Sequence, residues 1–74
     1  MRSDQDNKSV QEIASKLRKI RLKKGMKQVD VADKAGLNSN YYARVERGEA
    51  IPTEVTLKKI LTALKVKSSE VLTF

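Results

Sequence analysis

The sequence predicts an all-α domain of five short helices around one core, and three observations lead there. Apolar residues recur at intervals of three and four, with no strand-like alternation to compete. The breaks between these runs carry Gly, Pro or capping residues. A chain of 74 residues has room for one small core and no second domain. The helices are expected near residues 9–24, 28–35, 39–47, 53–64 and 68–72, with residues 1–8 as a flexible arm ahead of a domain spanning 9–74.

Met1 to Lys8 is polar, mixed in charge and has nothing to bury, which is the composition of a flexible terminus. Ser9-Val10-Gln11-Glu12 reads as a capping box that opens the first helix. Val10, Ile13, Ala14, Leu17 and Ile20 then form its apolar stripe, and Gly25 ends it after Lys23 and Lys24. Arg21 follows Leu17 by four positions and so lies on or beside the buried stripe, where a charge needs a partner. Glu46 has the matching problem beside Val45, four residues after Tyr42. The two are expected to pair across helices.

The second helix turns Val31, Ala32 and Ala35 inward and leaves Val29, Asp30, Asp33 and Lys34 outside, with Lys27 as a poor cap. Gly36 allows the positive φ of a tight turn, and Asn38 caps the third helix. Two short helices joined by such a turn make a helix-turn-helix. In LNSNYYARVERG, Tyr42 and Val45 face the core, whereas Asn40, Arg44 and Arg47 cluster opposite with Ala43 at the edge. Asn matches an adenine edge, Arg matches guanine or a phosphate, and Ala permits close approach. After Gly48 to Pro52, Thr53 caps a fourth helix with Leu57, Ile60, Leu61 and Leu64 inward. The expected core is Ile13, Leu17, Ile20, Val31, Ala32, Leu37, Tyr42, Val45, Leu57, Ile60, Leu64 and Val66.

Composition narrows the chemistry. Without Cys or His the chain lacks thiolate chemistry, disulfides and nearly every transition-metal site. Its acidic residues are scattered, and no calcium loop or Gly-rich phosphate loop is present, so no metal and no cofactor are expected, and an enzyme is the weakest reading. The net charge of +7 points to an anionic partner. It is unevenly placed: +6 over residues 1–27, −1 over 28–50 and +2 over 51–74. No apolar run approaches the roughly 20 residues that span a bilayer, and the polar start is not a signal peptide, so a cytoplasmic setting is expected.

The segments LRKIRLKKGMKQ, VADKAGL, NSNYYARVERGEAIPT, LKKILTALKV and SSEVL, in this order over about residues 13–72, closely resemble the phage-repressor and Cro-type helix-turn-helix family, also called the xenobiotic-response-element family. The resemblance implies a five-helix DNA-binding domain that acts as a symmetric dimer on a pseudo-palindromic operator. It implies that Ser39, Asn40 and Arg44 contact bases, that Gln28 bonds a phosphate and orients its neighbours, that Arg47 contacts the backbone, and that Arg21 and Glu46 form a structural salt bridge. Lys27 stands where the family has Ser or Thr and adds a charge near DNA; Ser39 replaces a frequent Gln, Lys65 a common Gly, and Glu54 an apolar residue. Tyr41 is either a contact to the sugar-phosphate backbone or a thymine methyl, or a partly buried wedge.

These readings make the chain a double-stranded DNA-binding transcriptional regulator similar to Cro-like repressors and restriction–modification controller proteins. The alternative is an antitoxin or adaptor module that binds protein through Val29, Tyr41 and Val55. No effector segment follows the terminal helix, so a homodimer is expected to form through the domain itself, with Val71, Leu72 and Phe74, joined by Ile51 or Val55, as its interface.

Overall fold

The computed structural model describes the backbone of residues 2–66 and the side chains of residues 9–66. It contains four helices among these residues: α1 (Arg2–Lys23), α2 (Gln28–Ala35), α3 (Ser39–Glu46) and α4 (Glu54–Leu64). The class is all-α as expected, and no strand occurs among the described residues. The fifth helix expected near 68–72 and the interface residues Val71, Leu72 and Phe74 lie outside them.

The start of α1 departs from the sequence reading. The helix begins at Arg2, so residues 2–8 continue it and Ser9 sits inside a helix rather than at its cap. No Gly or Pro interrupts this segment. Once a helical nucleus exists, each added residue gains one backbone hydrogen bond, so extension is far cheaper than initiation. The other end agrees with expectation. Gly25 takes φ 69°, and the Met26 N–H reaches back to the Arg21 carbonyl at 3.1 Å.

Local chemistry sets the remaining boundaries. The Lys27 side chain makes no cap hydrogen bond. Instead the Asp30 carboxylate accepts from the Lys27 N–H at 2.9 Å, closing the first turn of α2 from inside the helix. Gly36, at φ 70° and ψ 33°, ends α2 in the left-handed conformation that glycine adopts without steric cost. Two residues on, Asn38 Oδ1 accepts from the N–H groups of Asn40 and Tyr41 at 2.8 and 3.2 Å and starts α3. Arg47 lies just past the helix as its C-cap. Thr53 Oγ1 accepts from the Thr56 N–H at 3.1 Å, so α4 starts at Glu54, and the polar residue there is simply the first helical position.

Packing places α2 against both α3 and α4, and α1 against α3. Leu17, Val31, Tyr42, Val45, Ile60 and Leu64 are fully buried, joined by Ala14, Ala32, Ala35, Leu57, Leu61 and Ala63. Four expected core residues are corrected by this arrangement: Ile13, Ile20, Leu37 and Val66 are half-buried at the margin of the cluster. Small residues take interior places because α2 approaches its neighbours closely. Helical periodicity identifies the inward stripe, but not which of its positions reach the centre.

Lys65 ends α4 at φ 58° and ψ 44°, and it is the non-glycine residue with positive φ among those described. An L side chain in this region costs about 1–2 kcal/mol, which glycine avoids. Lys65→Gly is therefore expected to stabilise the fold by about 1 kcal/mol and raise the melting midpoint by about 4–8 °C. Gly36→Ala should shift it by a similar amount downward. A Cβ there meets no atom within 4 Å, so the cost is conformational alone. Thermal melts of both variants check the paired signs.

Candidate nucleic-acid interface

The outward face of α3 rests on one buried tie. Arg21 on α1 donates from Nε to Glu46 Oε2 at 2.7 Å and from Nη2 to Oε1 at 3.1 Å, a two-pronged grip on the carboxylate at the end of α3. Its Nη1 donates to the Met26 carbonyl at 2.9 Å and so fixes the turn between α1 and α2. Gln28, the first residue of α2, donates from Nε2 to Glu46 Oε1 at 3.1 Å. One carboxylate thereby joins three helices, and both charged side chains are almost fully enclosed.

The electrostatics follow from this enclosure. Burial alone would raise the Glu46 carboxyl, but Arg21, with the Tyr42 hydroxyl and the Gln28 amide, outweighs it and holds the carboxyl below its ordinary value. The hydrogen bond to Glu46 correspondingly raises Arg21, against the opposing effect of burial. Tyr42 is buried beside this group, and its hydroxyl lacks a well-formed hydrogen bond among the described residues. Burial first, and then the neighbouring carboxylate, push its phenol far above the usual range.

With its inner face pinned by Tyr42 and Val45, α3 turns Ser39, Asn40 and Arg44 to solvent. Lys27 is exposed at the start of α2, and Gln28 is half-buried. An amide nitrogen carries two hydrogens, so the bond to Glu46 leaves Gln28 one further hydrogen to donate. Tyr41 is half-buried and packs against the core at the flank of α3. Arg47 is exposed, and its Nη2 pairs with Glu49 Oε1 at 3.1 Å. This acid was not among the residues the sequence reading selected. The signal for it was present in the two-residue spacing across Gly48, a position at φ 75° where the chain turns back.

Gly48 is also closed to a side chain, because a Cβ there would collide with the Gln11 side chain of α1. The loop beyond α3 is thus seated on the first helix. Ile51 and Val55, expected at a dimer interface, are 72% and 63% exposed. They stand on the loop after α3 and in the first turn of α4. No helix among the described residues is long and apolar enough to cross a membrane, and none of them group as metal ligands.

The helix-turn-helix family matches the chain over residues 17–71. The chain belongs to this family. A relative from Sinorhizobium fredii, the uncharacterized HTH-type transcriptional regulator y4dJ, is 33% identical over 61 residues, which cover 82% of this chain and 79% of the relative. Among solved structures, the restriction–modification controller protein C.AhdI from Aeromonas hydrophila superposes with a TM-score of 0.82 at 32% identity, covering 85% of this chain and 96% of its own. The wild-type controller protein C.Esp1396I gives 0.82 at 31% identity, covering 88% of this chain and 86% of that one. C.Esp1396I has been solved as a tetramer on its natural operator of 35 base pairs and on a duplex of 19 base pairs. This helix-turn-helix protein is thus one of a family of DNA-binding transcriptional regulators of the xenobiotic-response-element type, and not of an enzyme family.

The buried tie makes a prediction whose sign depends on pH. A carboxyl held below its unfolded value contributes stability that is present above that value and lost as pH falls through the folded one. The wild-type fold should accordingly weaken on acidification below the ordinary carboxylate range. Arg21→Met leaves Glu46 buried and uncompensated, at a cost of about 3–5 kcal/mol at neutral pH. Burial then raises the Glu46 carboxyl, so this variant should regain stability as pH falls toward the acid range, opposite to the wild type. Urea denaturation of both proteins between neutral and acid pH measures the crossing of trends.

Proposed function

We propose that this chain is a sequence-specific double-stranded DNA-binding regulator of transcription that places α3 in the major groove as a homodimer on a pseudo-palindromic operator. The observation that carries this reading is the outward face of α3. Ser39, Asn40 and Arg44 are exposed together on a helix whose other face is buried through Tyr42 and Val45. Operator binding by C.Esp1396I, at 31% identity, supports it.

In this reading Arg44 grips guanine with its fork, Asn40 pairs with adenine, and Ser39 adds a shorter contact to a neighbouring base. Lys27, Gln28, Arg47 and Tyr41 meet the sugar-phosphate backbone and set the register. Gln28 does so with the amide hydrogen that Glu46 leaves available. Ile51 and Val55 supply apolar area for the second copy. Two such copies related by a two-fold axis would present their third helices to half-sites one helical turn apart.

Selection from random duplexes, followed by footprinting of the enriched sequences, tests the reading. Two protected half-sites with centres about 10–10.5 base pairs apart are expected, and enrichment of no sequence at all would sink it. On the selected duplex, Arg44→Ala should cost about 1–3 kcal/mol and relax the preference at one base pair. Lys27→Ala should instead weaken binding to all duplexes alike and lower the salt slope by about 1. Gel-shift series at several salt concentrations separate the two behaviours.

A further inference from the structure

The segment that carries the candidate reading helix is not itself basic. Residues 28–50 hold three basic and four acidic side chains, a net of −1 in a chain of +7. Glu46 is consumed inside the fold by Arg21. Asp30 is engaged at the start of α2. Glu49, by contrast, stands among the arginines of the outward face.

Its position is fixed by the backbone. Gly48 turns the chain at φ 75°, and the Glu49 N–H then donates to the Arg44 carbonyl at 2.9 Å. Glu49 is thereby locked against the C-terminal end of α3. From there its carboxylate reaches Arg47 at 3.1 Å, with both side chains 55% exposed. The Arg47 guanidinium first, and Arg44 more weakly, draw the Glu49 carboxyl below its ordinary value, so it is ionised at neutral pH.

Stability does not account for an acid at this point. The C-terminal end of a helix carries partial negative charge and favours cations, and an ion pair this exposed to water contributes little to folding. What Glu49 does govern is the charge that Arg47 shows to an approaching polyanion. A phosphate that pairs with Arg47 must share the guanidinium with a carboxylate already seated on it, at a separation where two negative charges repel through water.

We infer that Glu49 is an electrostatic brake on DNA binding, masking Arg47 in the free protein so that a phosphate must compete for it. The inference rests on the DNA-binding reading above and adds to it a residue that lowers affinity. A strongly basic domain binds any duplex through its phosphate contacts. A built-in competitor at one such contact reduces that sequence-independent term and leaves the side chains of Ser39 and Asn40 unpaired with it. The brake acts chiefly through Arg47, the residue with which the carboxylate pairs.

The test uses the full chain and a labelled random-sequence duplex of about 30 base pairs, titrated by fluorescence anisotropy from about 50 to 200 mM salt. E49Q is expected to bind about three- to tenfold more tightly. Its log–log salt slope should be steeper by up to about 1, with its melting midpoint unchanged. In an R47A background the gain from E49Q should fall below about twofold, because the masked group is gone. Equal affinities and slopes for wild type and E49Q overturn the inference, and so does an undiminished gain in the R47A background. If the wild type shows no salt-dependent binding to any duplex, the DNA-binding reading itself fails, and the brake fails with it.

Discussion

The grip of Arg21 on Glu46 is the contact on which the orientation of the other parts depends. A pair of opposite charges withdrawn from water contributes little net stability, because desolvation offsets most of the attraction. Its value is geometric. A guanidinium fork and a carboxylate have one good way to meet, and the meeting point lies where α1, the α1–α2 turn and the end of α3 converge. Apolar packing by Tyr42 and Val45 decides that α3 lies on the core. The ion pair decides its rotation and its height, and with them the direction in which Asn40 and Arg44 look.

The same carboxylate extends its influence to the first residue of α2 through Gln28. One buried carboxylate thereby takes up a guanidinium from α1 and one amide hydrogen from α2. Just past the end of α3, Glu49 shows the converse arrangement, an exposed acid paired with Arg47. Two glutamates three residues apart thus differ in setting, one enclosed in the fold and the other in water.

Much of this was legible in the sequence because the signals were local or periodic. The stripes of α1 and α4, the left-handed turn at Gly36 and the caps at Asn38 and Thr53 are each written in a few adjacent residues. The Arg21–Glu46 pair was legible for another reason: each charge sat beside an apolar stripe and needed compensation. Other features were not local. The start of α1 was misplaced at Ser9, because a good capping sequence inside a helix looks the same as one at its end. The demotion of Ile13, Ile20, Leu37 and Val66 to the margin of the core depends on how closely whole helices approach. Glu49 went unnoticed because exposure gives a charge no reason to be singled out until its neighbour in space is known.

The shortness of α3 has its own implication. A helix of eight residues is too short to hold its shape in water by itself, since such lengths do not repay the cost of nucleation. Its outward side chains form a common surface only while the core beneath them is assembled. That surface and the fold are consequently one cooperative unit. A lesion at Leu17 or Ile60, both fully buried, would then dismantle the outward face of α3 without altering a single residue on it.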